Sequence, residues 1–107
     1  MTRVTLFTDS QERLTGFECT GHSGYAQSGS DIVCAAVSAL SLTCINAMES
    51  VAGIKPVVDE SDGYLIVQIN ERQMSHDAQV ILKTFEQGIK DIAASYPKYV
   101  RFHRMVK

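Results

Sequence analysis

The chain reads as a single α+β domain with the element order β-β-α-β-β-α-β, a mixed or antiparallel sheet packed against two helices. Three observations predict this. Short runs of alternating apolar residues open and close the sequence, two long stretches carry apolar residues at helical spacing, and an Asp-Gly pair joins two further strand-like runs. With 107 residues the chain can build one core but not two, so the predicted domain spans 1–107.

The first strand is predicted over 2–8, where Val4 and Leu6 share a face. The second is predicted over 13–20, where Phe17 and Cys19 share one, and the polar stretch 9–12 makes the hairpin turn. The segment 21–30 holds three glycines in ten residues, which predicts a mobile loop. A helix is then expected over 31–52. Asp31 suits its N-cap, Gly53 and Pro56 its end, and Val33, Val37, Leu40, Cys44, Met48 and Val51 recur at helical spacing. Ala and Ile on its other sides predict burial on most faces.

A hairpin follows over 55–60 and 64–70, turning at Ser61-Asp62-Gly63. The second helix, over 75–96, has an inner stripe of Ala78, Ile81, Leu82, Phe85, Ile89, Ile92 and Tyr96. Lys83, Glu86, Gln87, Lys90 and Asp91 are expected to face water. Pro97 stops this helix, and a last strand is predicted over 99–106.

Apolar residues at 45% and charged residues at 21% suit a globular protein. A net charge of −2, with only a mildly basic C-terminal end, disfavours direct nucleic-acid binding, which needs concentrated positive charge. The most apolar stretch, 31–53, is interrupted by Ser38, Ser41, Thr43, Asn46 and Glu49, so it reads as a core helix and not a membrane span. The N-terminus does not read as a signal peptide, and the expected compartment is the cytoplasm. Three cysteines without a secretory signal argue against a disulfide framework.

Cys34 is the residue with most chemical promise. It lies three residues after the expected N-cap, in the first helical turn. Backbone N–H groups there lack intrahelical partners and the helix dipole is positive, which favours a thiolate and offers donors for an oxyanion. His22 lies twelve residues earlier, at the end of the second strand. The intervening loop can return it to Cys34, where an imidazole would stabilise the thiolate and protonate a leaving amine. Asp31 has two readings: helix cap alone, or cap and orienter of the His22 ring. Ser38, one turn beyond Cys34, shares its face.

Each reading has a plainer competitor. A cysteine in an apolar helix is commonly packing, which suits Cys19 and Cys44 well and Cys34 less well. Cys19, His22 and Cys34 do not have the paired short spacings of a zinc site and no fourth ligand lies nearby, so no metal or other cofactor is expected. The glycine-rich loop supplies no lysine for phosphate. His76 and His103 read as surface residues.

The stretch Gly21-His22-Ser23-Gly24, followed by Gly29 and then by Asp31-Ile32-Val33-Cys34-Ala35-Ala36-Val37-Ser38, resembles the ribosomal-processing cysteine protease family Prp, also called YsxB-like. The likeness extends to chain length and element order. It implies a cysteine endopeptidase that removes an apolar, Phe-containing N-terminal extension from large-subunit ribosomal protein twenty-seven of the L series during ribosome maturation. It further implies His22 and Cys34 as the catalytic pair, with Asp31, Ser38 and Gly21 in support. A mobile substrate loop over 23–30 would include Ser23, Gly24, Tyr25, Gly29 and Ser30, and the protein would be a homodimer. Val33, Val37 and Tyr25 are the expected walls of the apolar substrate pocket. The competing reading is a non-catalytic peptide-binding factor in ribosome assembly, which would bind without cleaving and show no special reactivity at Cys34.

Overall fold

The computed structural model describes residues 1–27 and 31–107. The elements are β1 (Thr2–Thr8), β2 (Leu14–Thr20), α1 (Ile32–Ser50), β3 (Val57–Ser61), β4 (Tyr64–Gln68), α2 (His76–Ser95) and β5 (Val100–Val106). The predicted order holds throughout. A single 3₁₀ turn, Glu71–Gln73, was not anticipated; Asn70 and Gln73 cap it reciprocally.

The five strands form one mixed sheet in the order β3-β4-β2-β1-β5. Neighbours pair antiparallel except β1 and β5, which run parallel from Thr2 opposite Val100 to Thr8 opposite Val106. Parallel pairing requires a crossover, and the chain between β4 and β5 supplies one in α2. β2 lies at the centre, so its C-terminal end opens onto the middle of the domain.

Both helices belong to one core with the sheet. Val4, Leu6, Phe17, Cys19, Val67 and Val100 meet Val33, Val37, Cys44 and Met48 of α1 and Ala78, Leu82, Phe85 and Ile89 of α2. The rings of Phe17 and Phe85 stack with centroids 3.8 Å apart, a contact that joins the central strand to α2.

Two expectations about the helices need correction. α1 is long and apolar enough to cross a bilayer by length and composition, and its sequence predicted burial on most faces. Only the stripe of Val33, Val37, Ser41, Cys44 and Met48 is buried. Ile32 and Leu42 are 54% and 49% exposed, and Ala35 and Ala39 are exposed beside them. The helices form a single layer on the sheet, so nothing among the described residues covers α1 from outside.

The second correction concerns Glu86, which was expected in water but is buried. Arg104 of β5 reaches it with two hydrogen bonds, Nε to Oε2 at 2.6 Å and Nη2 to Oε1 at 2.8 Å. The paired geometry compensates the buried carboxylate and ties the edge strand to α2.

Those hydrogen bonds from Arg104 hold the Glu86 carboxyl below the usual glutamate value of 4.5. A carboxyl lowered in the folded state stabilises the protein above its unfolded value, and this contribution is lost as pH falls through the folded value. Glu86→Gln is therefore expected to lower unfolding stability by about 1–2 kcal/mol near neutral pH. Urea titrations should show the gap between parent and variant narrowing as the pH drops below about 4.5; a gap that stays constant contradicts the assignment.

Candidate active site

The start of α1 is organised by one carboxylate. Asp31 is the N-cap, with φ −81° and ψ 101°. Its Oδ1 accepts the N–H groups of Val33 and Cys34, both at 2.9 Å. Its Oδ2 accepts the Ser23 hydroxyl and the Tyr25 N–H, the latter at 3.2 Å. Burial alone would raise the Asp31 carboxyl, but the Ser23 hydroxyl and the Cys34 N–H outweigh it and hold the group well below the usual carboxylate range. The cap reading of Asp31 thus holds, and the same group clamps the loop. Both oxygens are engaged, and no bond to His22 is present among the described residues.

This arrangement overturns one expectation. The first-turn N–H groups were expected to hold an oxyanion. Those of Val33 and Cys34 are bonded to the Asp31 carboxylate, and that of Ala35 to the Asp31 carbonyl at 3.0 Å. These three amides are therefore not free to serve as oxyanion donors.

Cys34 itself is half-buried. Its Sγ accepts the N–H of Ser23 at 3.3 Å. The sulfur therefore lies at the positive end of α1 and receives a further amide from the loop. Because Ser23 also binds Asp31, the residue next to His22 is fixed at both its backbone and its side chain.

His22 follows β2, and its approach is set by the backbone. Gly21 adopts φ +83° and its N–H donates to the Gly63 carbonyl at 2.8 Å. A Cβ at Gly21 would come within 2.5 Å of the Met1 carbonyl oxygen, so only glycine fits this close approach. The bond joins the end of β2 to the β3–β4 turn. His22 is 64% exposed, and its Nε2 lies 3.6 Å from Oδ1 of Asp62 in that turn.

Two clefts share His22, Cys34, Ser38 and Asp62 in their walls. One, of about 570 Å³, runs between α1 and the β3–β4 hairpin and includes Val37, Leu42, Tyr64 and Leu65. The other, of about 480 Å³, includes Gly24, Ala26, Asp31 and Ala35. The imidazole, thiol and hydroxyl thus stand where the two clefts meet, an arrangement that can hold a chain running past Cys34 in both directions.

The remaining predicted residues divide. Gly21 lines the first cleft and Gly24 the second. Ser23 is buried under its bond to Asp31 rather than facing a substrate. Val37 is a cleft wall as expected, but Val33 is fully buried in the core. Tyr25 lines neither cleft; its ring packs edge-on against Tyr96 and Tyr99, at 5.6 and 5.2 Å. Gly29 and Ser30 lie outside the described residues.

Asp62 is the site residue that sequence reasoning missed. Asp-Gly was read only as a turn signal, although a turn also presents its first side chain outward.

The three thiols are free and unlike one another. Burial pushes Cys19 up to about 11, with Ser41 and Glu18 as lesser influences, and burial also raises Cys44. Among the described residues, no group of three or more His, Cys, Asp or Glu is placed to hold a metal ion.

Comparison with known proteins decides the family. Residues 1–101 match the family model described as cysteine protease Prp. The chain belongs to the Prp family of cysteine proteases. It is 28% identical over 106 residues to the ribosomal processing cysteine protease Prp of Bacillus subtilis, covering 94% of this chain and 95% of that one. It is 26% identical over 104 residues to the Staphylococcus aureus protein of the same name, covering 96% and 98%.

The fold agrees. A crystal structure of a Streptococcus mutans protein, 32% identical, superposes with a TM-score of 0.86 over 100% of this chain and 96% of that one. The Staphylococcus aureus Prp, crystallised with a covalently linked product peptide, gives 0.92 at 24% identity, over 98% and 100%. Family membership makes the chain a cysteine protease, which sets aside the non-catalytic alternative.

Differences among the thiols lead to a labelling prediction. Brief treatment with iodoacetamide near neutral pH should alkylate Cys34 and spare Cys19 and Cys44, as read by peptide mapping. Equal labelling of all three in the folded protein would contradict the burial described.

Proposed function

We propose that residues 1–107 form one protease domain that removes the N-terminal extension of large-subunit ribosomal protein twenty-seven (L series), with Cys34 as nucleophile and His22 as general acid and base. The observation that carries this reading is the meeting of two clefts at His22 and Cys34. A peptide crossing that point has its scissile carbonyl beside the sulfur and chain on either side of it.

In the proposed sequence the Cys34 sulfur attacks the scissile carbonyl and the carbonyl electron pair moves onto oxygen. The His22 imidazolium then gives its proton to the leaving amine as the C–N bond breaks, which leaves an acyl-enzyme. Water deprotonated by His22 attacks the acyl carbon, and the thiolate is released. Asp31 acts in support, holding Cys34 and Ser23 in place through the bonds described. Its N–H partners are spoken for, so the Ser38 hydroxyl, exposed in both clefts, is the donor proposed for the oxyanion.

The substrate class is supported by the wall of the larger cleft. Val37, Leu42, Tyr64 and Leu65 offer apolar surface to an apolar, Phe-containing extension. The curated relatives are named as ribosomal processing proteases, and a Staphylococcus aureus Prp structure contains a substrate peptide. The exposed apolar side of α1, with Ile32 and Leu42, suits a homodimer contact. The proposed setting is the cytoplasm, with no cofactor, no direct nucleic-acid contact and no membrane.

Incubation of the protein with the extended precursor, followed by mass spectrometry, tests this. The parent should release the extension, Cys34→Ala should give no product, and His22→Ala should be slower by at least about 100-fold. Cleavage by Cys34→Ala at the parent rate would refute the mechanism.

A further inference from the structure

We infer that Asp62 is a positioning residue for His22, an orienting carboxylate delivered from the β3–β4 turn and not from the helix cap. The inference rests on the proposed role of His22 as general acid and base.

Four observations converge on it. First, Asp31 is engaged at both oxygens by Val33, Cys34, Ser23 and Tyr25, so it is occupied elsewhere. Second, Asp62 Oδ1 lies 3.6 Å from His22 Nε2, and among the described residues Asp62 has no other ion-pair partner. Third, the pairing is built into the backbone. The Gly21 N–H to Gly63 carbonyl bond, at 2.8 Å, joins the residue before His22 to the residue after Asp62. Fourth, the imidazole is seated on Gly63. A Cβ there would lie 3.1 Å from Nε2, 3.5 Å from Cδ2 and 3.7 Å from Cε1. Gly63 also has φ +68°, so glycine serves the turn and the ring together.

The chemistry follows from which nitrogen is engaged. With Nε2 turned to Asp62, Nδ1 is the nitrogen left to exchange a proton with the thiol and the leaving amine. At 3.6 Å the contact is electrostatic and not a hydrogen bond. It therefore orients the ring from the hairpin side and leaves Nδ1 on the opposite edge. The other titratable groups in the two clefts are Cys19 from β2, Cys34 and Asp31 from the start of α1, and Glu60 and Tyr64 from the hairpin. Asp62 is the carboxylate in ion-pair distance of the ring. Both partners are largely exposed, 64% for His22 and 97% for Asp62, so the effect is modest, and replacement of Asp62 should not disturb folding.

The test measures kcat and KM for cleavage of the extended precursor by the parent, Asp62→Asn, Asp62→Glu, Asp59→Asn and His22→Ala. Asp62→Asn should lower kcat about two- to fivefold and leave KM unchanged. Asp62→Glu should restore most of the lost kcat. Asp59, which lines neither cleft, should behave as the parent when replaced by Asn.

A kcat for Asp62→Asn equal to that of the parent, beside an inactive His22→Ala, overturns the inference and leaves the mechanism standing. An equal fall in kcat with Asp59→Asn also overturns it, because the effect would then belong to the net charge of the hairpin. Full activity in His22→Ala overturns the underlying mechanism, and the inference with it.

Discussion

Everything at the site hangs on a single carboxylate between a loop and a helix. Asp31 satisfies the N–H groups of Val33 and Cys34 with one oxygen and gathers Ser23 and Tyr25 with the other. A helix N-cap ordinarily serves only its own helix. Here the second oxygen brings the chain that follows β2 down onto the helix start, and Ser23 then presents its N–H to the Cys34 sulfur. Its full set of hydrogen bonds compensates the buried charge. It also consumes the amides that a bare helix terminus would offer an oxyanion. The dipole of α1 is retained while the N–H groups of Val33 and Cys34 are taken.

Sheet topology supplies the other half of the placement. β2 is the central strand, flanked by β4 and β1, so the residue leaving it emerges between two supported neighbours. Gly21 is bonded to the β3–β4 turn on one side and passes close to Met1 on the other. The imidazole at the next position inherits this support, although it is itself exposed. The backbone before it carries the order that the exposed ring lacks. Across the same strand, Phe17 stacks on Phe85, so β2 is anchored by packing in its middle and opens onto the clefts at its end.

Much of this was legible in the residues. Alternation placed the strands, Asp31 and Gly53 bracketed α1, and Ser75 and Pro97 bracketed α2, because caps and breakers act through local backbone geometry. That Cys34 and His22 would line one cleft was legible because a first-turn thiol and a histidine at a strand exit have local signatures. The exposed side of α1 misled, because an apolar composition does not tell how many layers surround a helix. Glu86 misled for the converse reason: its partner Arg104 lies on a strand eighteen residues away, and helical periodicity carries no information about cross-element pairing. Asp62 was missed on the same ground. Its relation to His22 spans two strands and depends on the β2–β4 register, with Thr20 opposite Tyr64.

The parallel pairing of β1 with β5 bears on how the chain reaches this state. The contact between Thr2 and Val100 joins the two ends of the sequence, and contacts of such wide separation are slow to form because the loop entropy must be overcome first. Until the last strand arrives, one edge of β1 stays unpaired, and an open strand edge invites association with other chains. During synthesis the N-terminal strand leaves the ribosome well before its partner exists. The Met1 carbonyl that abuts Gly21 belongs to the start of that same waiting strand. Final ordering of the strand exit that carries the imidazole is therefore coupled to completion of the sheet, so a chain truncated before β5 would have the site residues without the frame that brings them together.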